Sequence, residues 1–355
     1  MKLATYKDGS RDGQLVVVSR DLGLAHYASG IAGRLQQVLD DWNFLSPQLE
    51  DLYLTLNQGR ARHAFSFEPR QCMAPLPRAF QWAHAAAWPN HAVLRARAAG
   101  VALTDDEAID PPLVQAAGDG FLGPNDVAWF GSDRWGIDFE AGLAVITGDV
   151  DSGASESQAL DGVRLLVLAN AWRLRELPAG EGTPGASPLQ TRPATAFGPV
   201  AVTPDELGPA WKAGRVQLKL QVRLNGHQIG LCETGPEMAL HFGQLIARLG
   251  RTRPVRAGSL VGALPVSNDD AARGSCCIAD RRAREWLARG EAATGYLVAG
   301  DTVRVELTGS NGQSVFGAVE QTVAAPRSSV GGAGETADAG DAAGPPAGAA
   351  DDLPD

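Results

Sequence analysis

Two carboxylates set two residues apart open the stretch WGIDFEAGLAVITGDV (135–150): Asp138 and Glu140. In an extended strand both leave on the same face. The apolar run 143–146 that follows reads as a core strand. Acids opening such a strand stand at the rim of a core, where a metal ion or an arginine can meet them. The same spacing also fits two acids on the solvated face of an edge strand. His91, in WPNH (88–91), follows a Pro-Asn turn. It is either structural or, with a carboxylate to orient it, a base that activates water. Arg175 and Arg192 flank the Gly/Pro-rich stretch LPAGEGTPGASPL (177–189). Two cations around one loop suit an anionic ligand, and solvated loop arginines fit the pattern as well. Asp280 opens a helical pattern, where an acid also simply faces the helix dipole. His227 and His241 read as a turn residue and a helix residue without a role. No phosphate-binding loop or nucleophile elbow occurs.

These side chains need a scaffold. Residues 2–6 and 14–19 alternate like two strands joined by KDGSRDG, which carries hairpin chemistry. Helical patterns follow over 31–42 and 47–56, and Pro69, Pro75 and Pro77 mark a connection. Strands are expected at 126–130, 137–147, 163–169 and 255–266. Asn225-Gly226 between 216–222 and 228–232 predicts a tight hairpin. A helix is expected from Pro236 through Met238, Phe242, Leu245 and Leu249, and a short one over 279–288. A last hairpin spans 302–307 and 314–323. The domains are read as 1–72, 73–325 and a tail, 326–355, whose Ala, Gly, Pro and Asp cannot bury a core.

The 355 residues can hold one large core or two modest ones. The formal charge is -10, but six acids beyond Arg327 supply more than half of it. No dense basic stripe remains to neutralise phosphates, so nucleic acid is not an expected partner. Cys72, Cys232, Cys276 and Cys277 form no C-x-x-C pair, and adjacent cysteines seldom close a relaxed disulfide. Free thiols in a reducing compartment are expected. The N-terminus turns polar too early for a signal peptide, and no apolar run is long enough for a membrane span. A cytoplasmic protein without a membrane partner is expected.

Several long motifs carry a resemblance. FQWA…NH (80–91), GFLGPNDV (120–127), WGIDFEA…AVITGDV, RPATAFGPVAVTPDELGPAW (192–211), GLCETGPEM…HFGQLIA (230–247), RAGSLVG (256–262) and GDTVRVEL…SVFGAVEQ (300–321) resemble the bacterial fumarylacetoacetate hydrolase family over about residues 1–323. The resemblance implies an α+β, β-rich fold of layered mixed sheets with few helices, preceded by a small N-terminal α+β domain. It implies a homodimer and a small keto-acid ligand. It also implies cleavage of a carbon–carbon bond in a 1,3-diketo acid, with Mg²⁺ or Ca²⁺ chelating the diketone.

Carried over residue by residue, the family's site is altered. Four carboxylates hold the metal in the family. Here those positions are His84, Glu140, Gly142 and Ala171. The catalytic His is matched by His91, and its carboxylate partner falls at Asp280, one methylene shorter than the usual Glu. The family's active-site Lys falls at Arg192, and its Arg at Arg175. The expectation is a hydrolase-family protein whose metal-dependent activity is lost or reduced. The alternative is an active enzyme with a metal-free site, or with His84 and Glu140 holding a transition metal. Returning carboxylates to 84, 142 and 171 together is expected to recover metal binding.

Overall fold

The computed structural model describes residues 1–178 and 189–326. Most of the 177–189 loop and the tail from 327 onward lie outside the described residues.

A ten-stranded mixed sheet organises the chain. From edge to edge its strands are Phe65–Ser66, Leu24–Tyr27, Gln14–Val18, Lys2–Tyr6, Thr195–Val202, Val163–Leu174, Ile137–Thr147, Leu260–Ala263, Trp82–Ala85 and Val114–Gln115. Only the Leu260–Ala263 and Trp82–Ala85 pair is parallel. The N-terminal strands therefore extend the same sheet that carries the later ones. A second, five-stranded sheet runs His227–Glu233, Lys219–Leu224, Thr302–Thr308, Ser314–Ala324, Ala128–Trp129.

The period-2 alternation of the central strands feeds two cores. Phe139, Leu143, Val145, Leu166, Leu168 and Trp172 join Val303, Val305 and Phe316 of the second sheet on one face. Ala144, Ile146, Val167 and Phe197 meet Leu49, Tyr53 and Leu56 of the Trp42–Asn57 helix on the other. The Ile137–Thr147 strand is buried along its whole length and sits inside the sheet. The edge-strand reading of Asp138 and Glu140 is thereby excluded.

Some boundaries shift for identifiable reasons. The helix expected from Pro47 starts at Trp42 and keeps Pro47 inside. Trp42 and Leu45 pack on the core, which outweighs one lost amide bond. The helix expected from Pro236 spans Phe242–Leu249 instead. Glu237 has φ +63°, a left-handed conformation no helix interior accepts, and Gln244 Oε1 accepts the His241 amide at the later start. The hairpin at Asn225-Gly226 holds, with φ +50° and +78° as the turn demands. All four cysteines are free and buried. Among the described residues no helix is long and apolar enough to cross a membrane.

Candidate active site

The two acids of the Ile137–Thr147 strand share a face and serve different ends. Asp138 is fully buried. Its Oδ1 accepts the amides of Phe139 at 2.7 Å and Ile278 at 2.6 Å. Its Oδ2 accepts the Ala279 amide at 3.2 Å and Arg175 Nε at 2.9 Å. Ile278 and Ala279 open the helix Ile278–Arg289, whose first amides have no partner within the helix. Asp138 thus ties that helix to the sheet. Glu140 reaches Arg175 Nη2 at 2.7 Å and lies 3.4 Å from Arg173 Nε. Burial works against its charge, yet Arg175, then Arg173, His84 and His91, hold the carboxyl down to about 2. Arg175 bridges both acids, with a side chain only 5% exposed.

The helix Ile278–Arg289 packs beside Pro89–Ala99, which presents His91. Pro89 starts that helix, where its missing N–H costs nothing. His91 Nδ1 lies 2.6 Å from Asp280 Oδ1. Ser267 Oγ donates to Asp280 Oδ2 at 2.6 Å, and Asn90 Nδ2 donates to Ser267 Oγ at 2.8 Å. Against its burial, His91 and then the Ser267 hydroxyl hold the Asp280 carboxyl below its ordinary value. A carboxylate fixed on Nδ1 sets the imidazole's orientation and leaves Nε2 for a substrate or water, the arrangement of a general base. The sequence-predicted pairing of His91 with Asp280 is present.

Position 84 is different in kind. His84 lies on Trp82–Ala85, tilted against the Trp82 ring at 5.4 Å. Its Nε2 is buried and has no hydrogen-bond partner among the described residues. Burial pushes the imidazole down to about 4; Glu140 opposes this, and Arg192 and Arg173 add to it. The folded protein keeps it neutral where the unfolded chain takes a proton near 6.5, so the unfolded chain binds more protons in between. His84 therefore contributes stability that is complete above pH 6.5 and lost as pH falls toward 4. The loss is roughly 3 kcal/mol. Urea unfolding at pH 7 and pH 4 should show this decline in the native protein and a smaller one in His84→Asn.

Arg192 lies close enough to Glu140, Arg175 and Arg95 for their charges to act on it, and burial lowers it. Arg173, which sequence reasoning missed, stands opposite Asp138 in the sheet register. The signal was available: 173 and 175 are two apart, as are 138 and 140. Cys277 was also missed as a site neighbour. It is the N-cap of the Ile278–Arg289 helix, and its sulfur accepts the Asp280 amide at 3.4 Å. His91, Cys277 and Asp280 each bring a donor atom within 4.8 Å of the others, all buried. His84 and Glu140 belong to no such group among the described residues. In the His91 group, both Asp280 oxygens already accept hydrogen bonds, and burial raises the Cys277 thiol well above its ordinary value.

The His91–Asp280 pair is held between two helices, beside acids that open a central strand of a mixed sheet. Residues 1–78 match the profile described as fumarylacetoacetase N-terminal domain 2, and residues 83–324 match that of the fumarylacetoacetate (FAA) hydrolase C-terminal domain. The chain belongs to the fumarylacetoacetate hydrolase family. No curated protein matches it. Solved structures do. A fumarylacetoacetate hydrolase from Exiguobacterium antarcticum is 15% identical, with TM-score 0.60, over 92% of this chain and all 100% of its own. Maleylpyruvate hydrolase from Sphingobium sp. SYK-6, in complex with manganese(II) and pyruvate, is 15% identical with TM-score 0.59 over 92% and 99%. The 5-carboxymethyl-2-hydroxymuconate delta-isomerase of Mycobacterium smegmatis is 15% identical with TM-score 0.56 over 92% and 99%. These likenesses establish the fold.

Proposed function

We propose that this protein is a fumarylacetoacetate hydrolase family member that takes a small keto acid of aromatic catabolism, and that its metal-dependent carbon–carbon hydrolysis is lost or strongly reduced. One observation carries this reading: Glu140, the last of the four carboxylate positions to keep an acid, is bound by Arg175 Nη2 at 2.7 Å with Arg173 beside it. Mg²⁺ and Ca²⁺ are held by several oxygens, largely carboxylate. Here His84 offers a nitrogen, Gly142 and Ala171 offer nothing, and two guanidiniums repel a cation. The residues do not fit either ion.

The second reading, an active enzyme with a metal-free site, rests on the dyad. His91, oriented by Asp280, would take a proton from water or substrate. Arg175 and Arg192 would hold the substrate's carboxylate. A transition metal on His84 and Glu140 is the weaker variant of this reading, because Glu140 would have to leave Arg175. A homodimer in the cytoplasm belongs to the proposal in either form.

Titration calorimetry with Mg²⁺ and Mn²⁺ tests the first reading, with no binding in the micromolar range expected. Hydrolysis of an acylpyruvate should run at least about a hundredfold below a four-carboxylate relative, since a Lewis-acid metal supplies several kcal/mol of stabilisation. Micromolar Mg²⁺ binding abolished in Glu140→Gln would refute the proposal. Residual turnover that is unchanged by a chelator and lost in His91→Ala would establish the metal-free enzyme.

A further inference from the structure

We propose that Ser267, braced by Asn90, is the positioning residue of the His91–Asp280 pair: it fixes the plane of the Asp280 carboxylate and, through it, the imidazole proton on Nδ1. The inference rests on the reading in which His91 acts as a base, and it says what aims that base.

Donor and acceptor chemistry sets the direction of the chain. Against its burial, His91 and then Ser267 hold the Asp280 carboxyl below its ordinary value, so it is an ionised acceptor. Ser267 Oγ lies 2.6 Å from Asp280 Oδ2 and must point its one hydrogen there. Its lone pairs are then left for Asn90 Nδ2 at 2.8 Å. The second hydrogen of that amide goes to the Asn268 carbonyl oxygen, also at 2.8 Å. Both partners need an N–H, so the Asn90 amide cannot be turned over. The same logic puts a proton on His91 Nδ1, 2.6 Å from Asp280 Oδ1, and leaves Nε2 bare in the neutral ring.

The carboxylate needs this second support. The first turn of Ile278–Arg289 sets the Asp280 backbone, with its amide on the Cys277 sulfur at 3.4 Å. The last torsion of an aspartate has no sharp minima. One hydrogen bond to Oδ1 leaves the group free to swing about it, whereas a donor on each oxygen fixes the plane. Asp280 and Ser267 are 1% and 2% exposed, so bulk water does not stand in for the serine.

Ser267 is itself held. Val266 donates its amide to the Ala141 carbonyl at 3.0 Å, and Ala141 donates its own to the Cys276 carbonyl at 2.9 Å. One residue of the central strand thus registers the serine segment against the start of the Asp280 helix. Arg284, one turn beyond Asp280, donates to the Asn268 carbonyl, and the Asn268 side chain accepts the Glu233 amide at 2.8 Å. Asn90 is the neighbour of His91 in Pro89–Ala99, so both residues of that first turn are clasped.

The test is the tautomer of His91, read from imidazole nitrogen shifts by NMR. It uses the full chain with isotope-labelled histidine, in alkaline buffer with EDTA, and His91→Gln assigns the signals. Native His91 should carry its proton on Nδ1. In Ser267→Ala the signals should move toward a mixture of the two tautomers. Ser267→Thr, which keeps the hydroxyl, should restore the native pattern. Asn90→Ala should give a smaller displacement in the same direction, because Ser267 keeps its own O–H. A thermal melt reports whether each variant folds, and if Ser267→Ala does not, Asn90→Ala carries the test. Turnover of an acylpyruvate with chelator present is the second readout. Ser267→Ala should lower kcat about tenfold with KM unchanged, a part of the roughly 10²–10⁴ that a positioned base contributes. A folded Ser267→Ala that keeps the native tautomer overturns the inference. So does a native protein protonated on Nε2, or chelator-resistant turnover that Ser267→Ala leaves unchanged. Tautomer loss in Ser267→Ala, in a protein with no chelator-resistant turnover, supports the positioning role and overturns only the reading of His91 as a working base.

Discussion

Asp138→Ala should destabilise the protein by about 3–5 kcal/mol, the cost of removing one partner from a buried ion pair. The reason is the number of groups that depend on one carboxylate. Arg175 loses its Nε partner at 2.9 Å while its side chain stays 95% covered. Ile278 and Ala279 lose the acceptor for their amides at the start of a twelve-residue helix. Each orphaned buried donor carries its own desolvation penalty of about 1–3 kcal/mol. Against a typical total of about 5–15 kcal/mol, this is a large share. Asp138→Asn keeps the shape and one acceptor, so it should cost less than the alanine change. Urea unfolding at pH 7 measures both. A change below about 1 kcal/mol in Asp138→Ala would show that the carboxylate does not hold the helix. The same helix carries Asp280, so a variant that still folds should lose the fixed His91–Asp280 geometry. Its His91 imidazole NMR signals should then differ in position from the native ones.

Asp138 also shows where the sequence was legible and where it was not. The same-face rule placed Asp138 and Glu140 together correctly, because a strand's period is fixed. What each acid meets depends on chain far away in sequence. The Ile278 amide comes from 140 residues further on. The hairpins and the Asn225-Gly226 turn were readable because they rest on local backbone preference. The pairing of His91 with Asp280, 189 residues apart, was reached only through the family resemblance. Arg173 escaped even that. Its two-residue spacing from Arg175 repeats that of Asp138 and Glu140, but only the register opposite Asp138 puts it at the site. Helix starts failed where one residue's backbone overrode the pattern, as Glu237 does after Pro236.

Putting the carboxylates back, as His84→Asp with Gly142→Glu and Ala171→Asp, should not return a metal site, contrary to what residue matching alone expects. Gly142 is the obstacle. A Cβ there would stand 2.4 Å from the Ala263 carbonyl oxygen and 2.6 Å from Leu264 Cβ. The first neighbour is backbone at the end of a strand paired to this one, at Ala263 opposite Leu143, so it cannot swing aside. Overpacking of this sort costs about 1–3 kcal/mol or more, and the glutamate adds a charge to a buried position. Gly142→Ala isolates the steric part and should lower the melting temperature with no change in charge. The triple variant should be markedly less stable or fail to fold. Where it does fold, Arg173 and Arg175 still occupy the Glu140 carboxylate, so calorimetry should show no micromolar Mg²⁺ binding. A folded triple variant that binds Mg²⁺ tightly would mean that the Ala263 segment yields and that the arginines move aside. The glycine ties the missing ligand to the packing of the whole strand, so the loss of the third carboxylate is built into the fold around it.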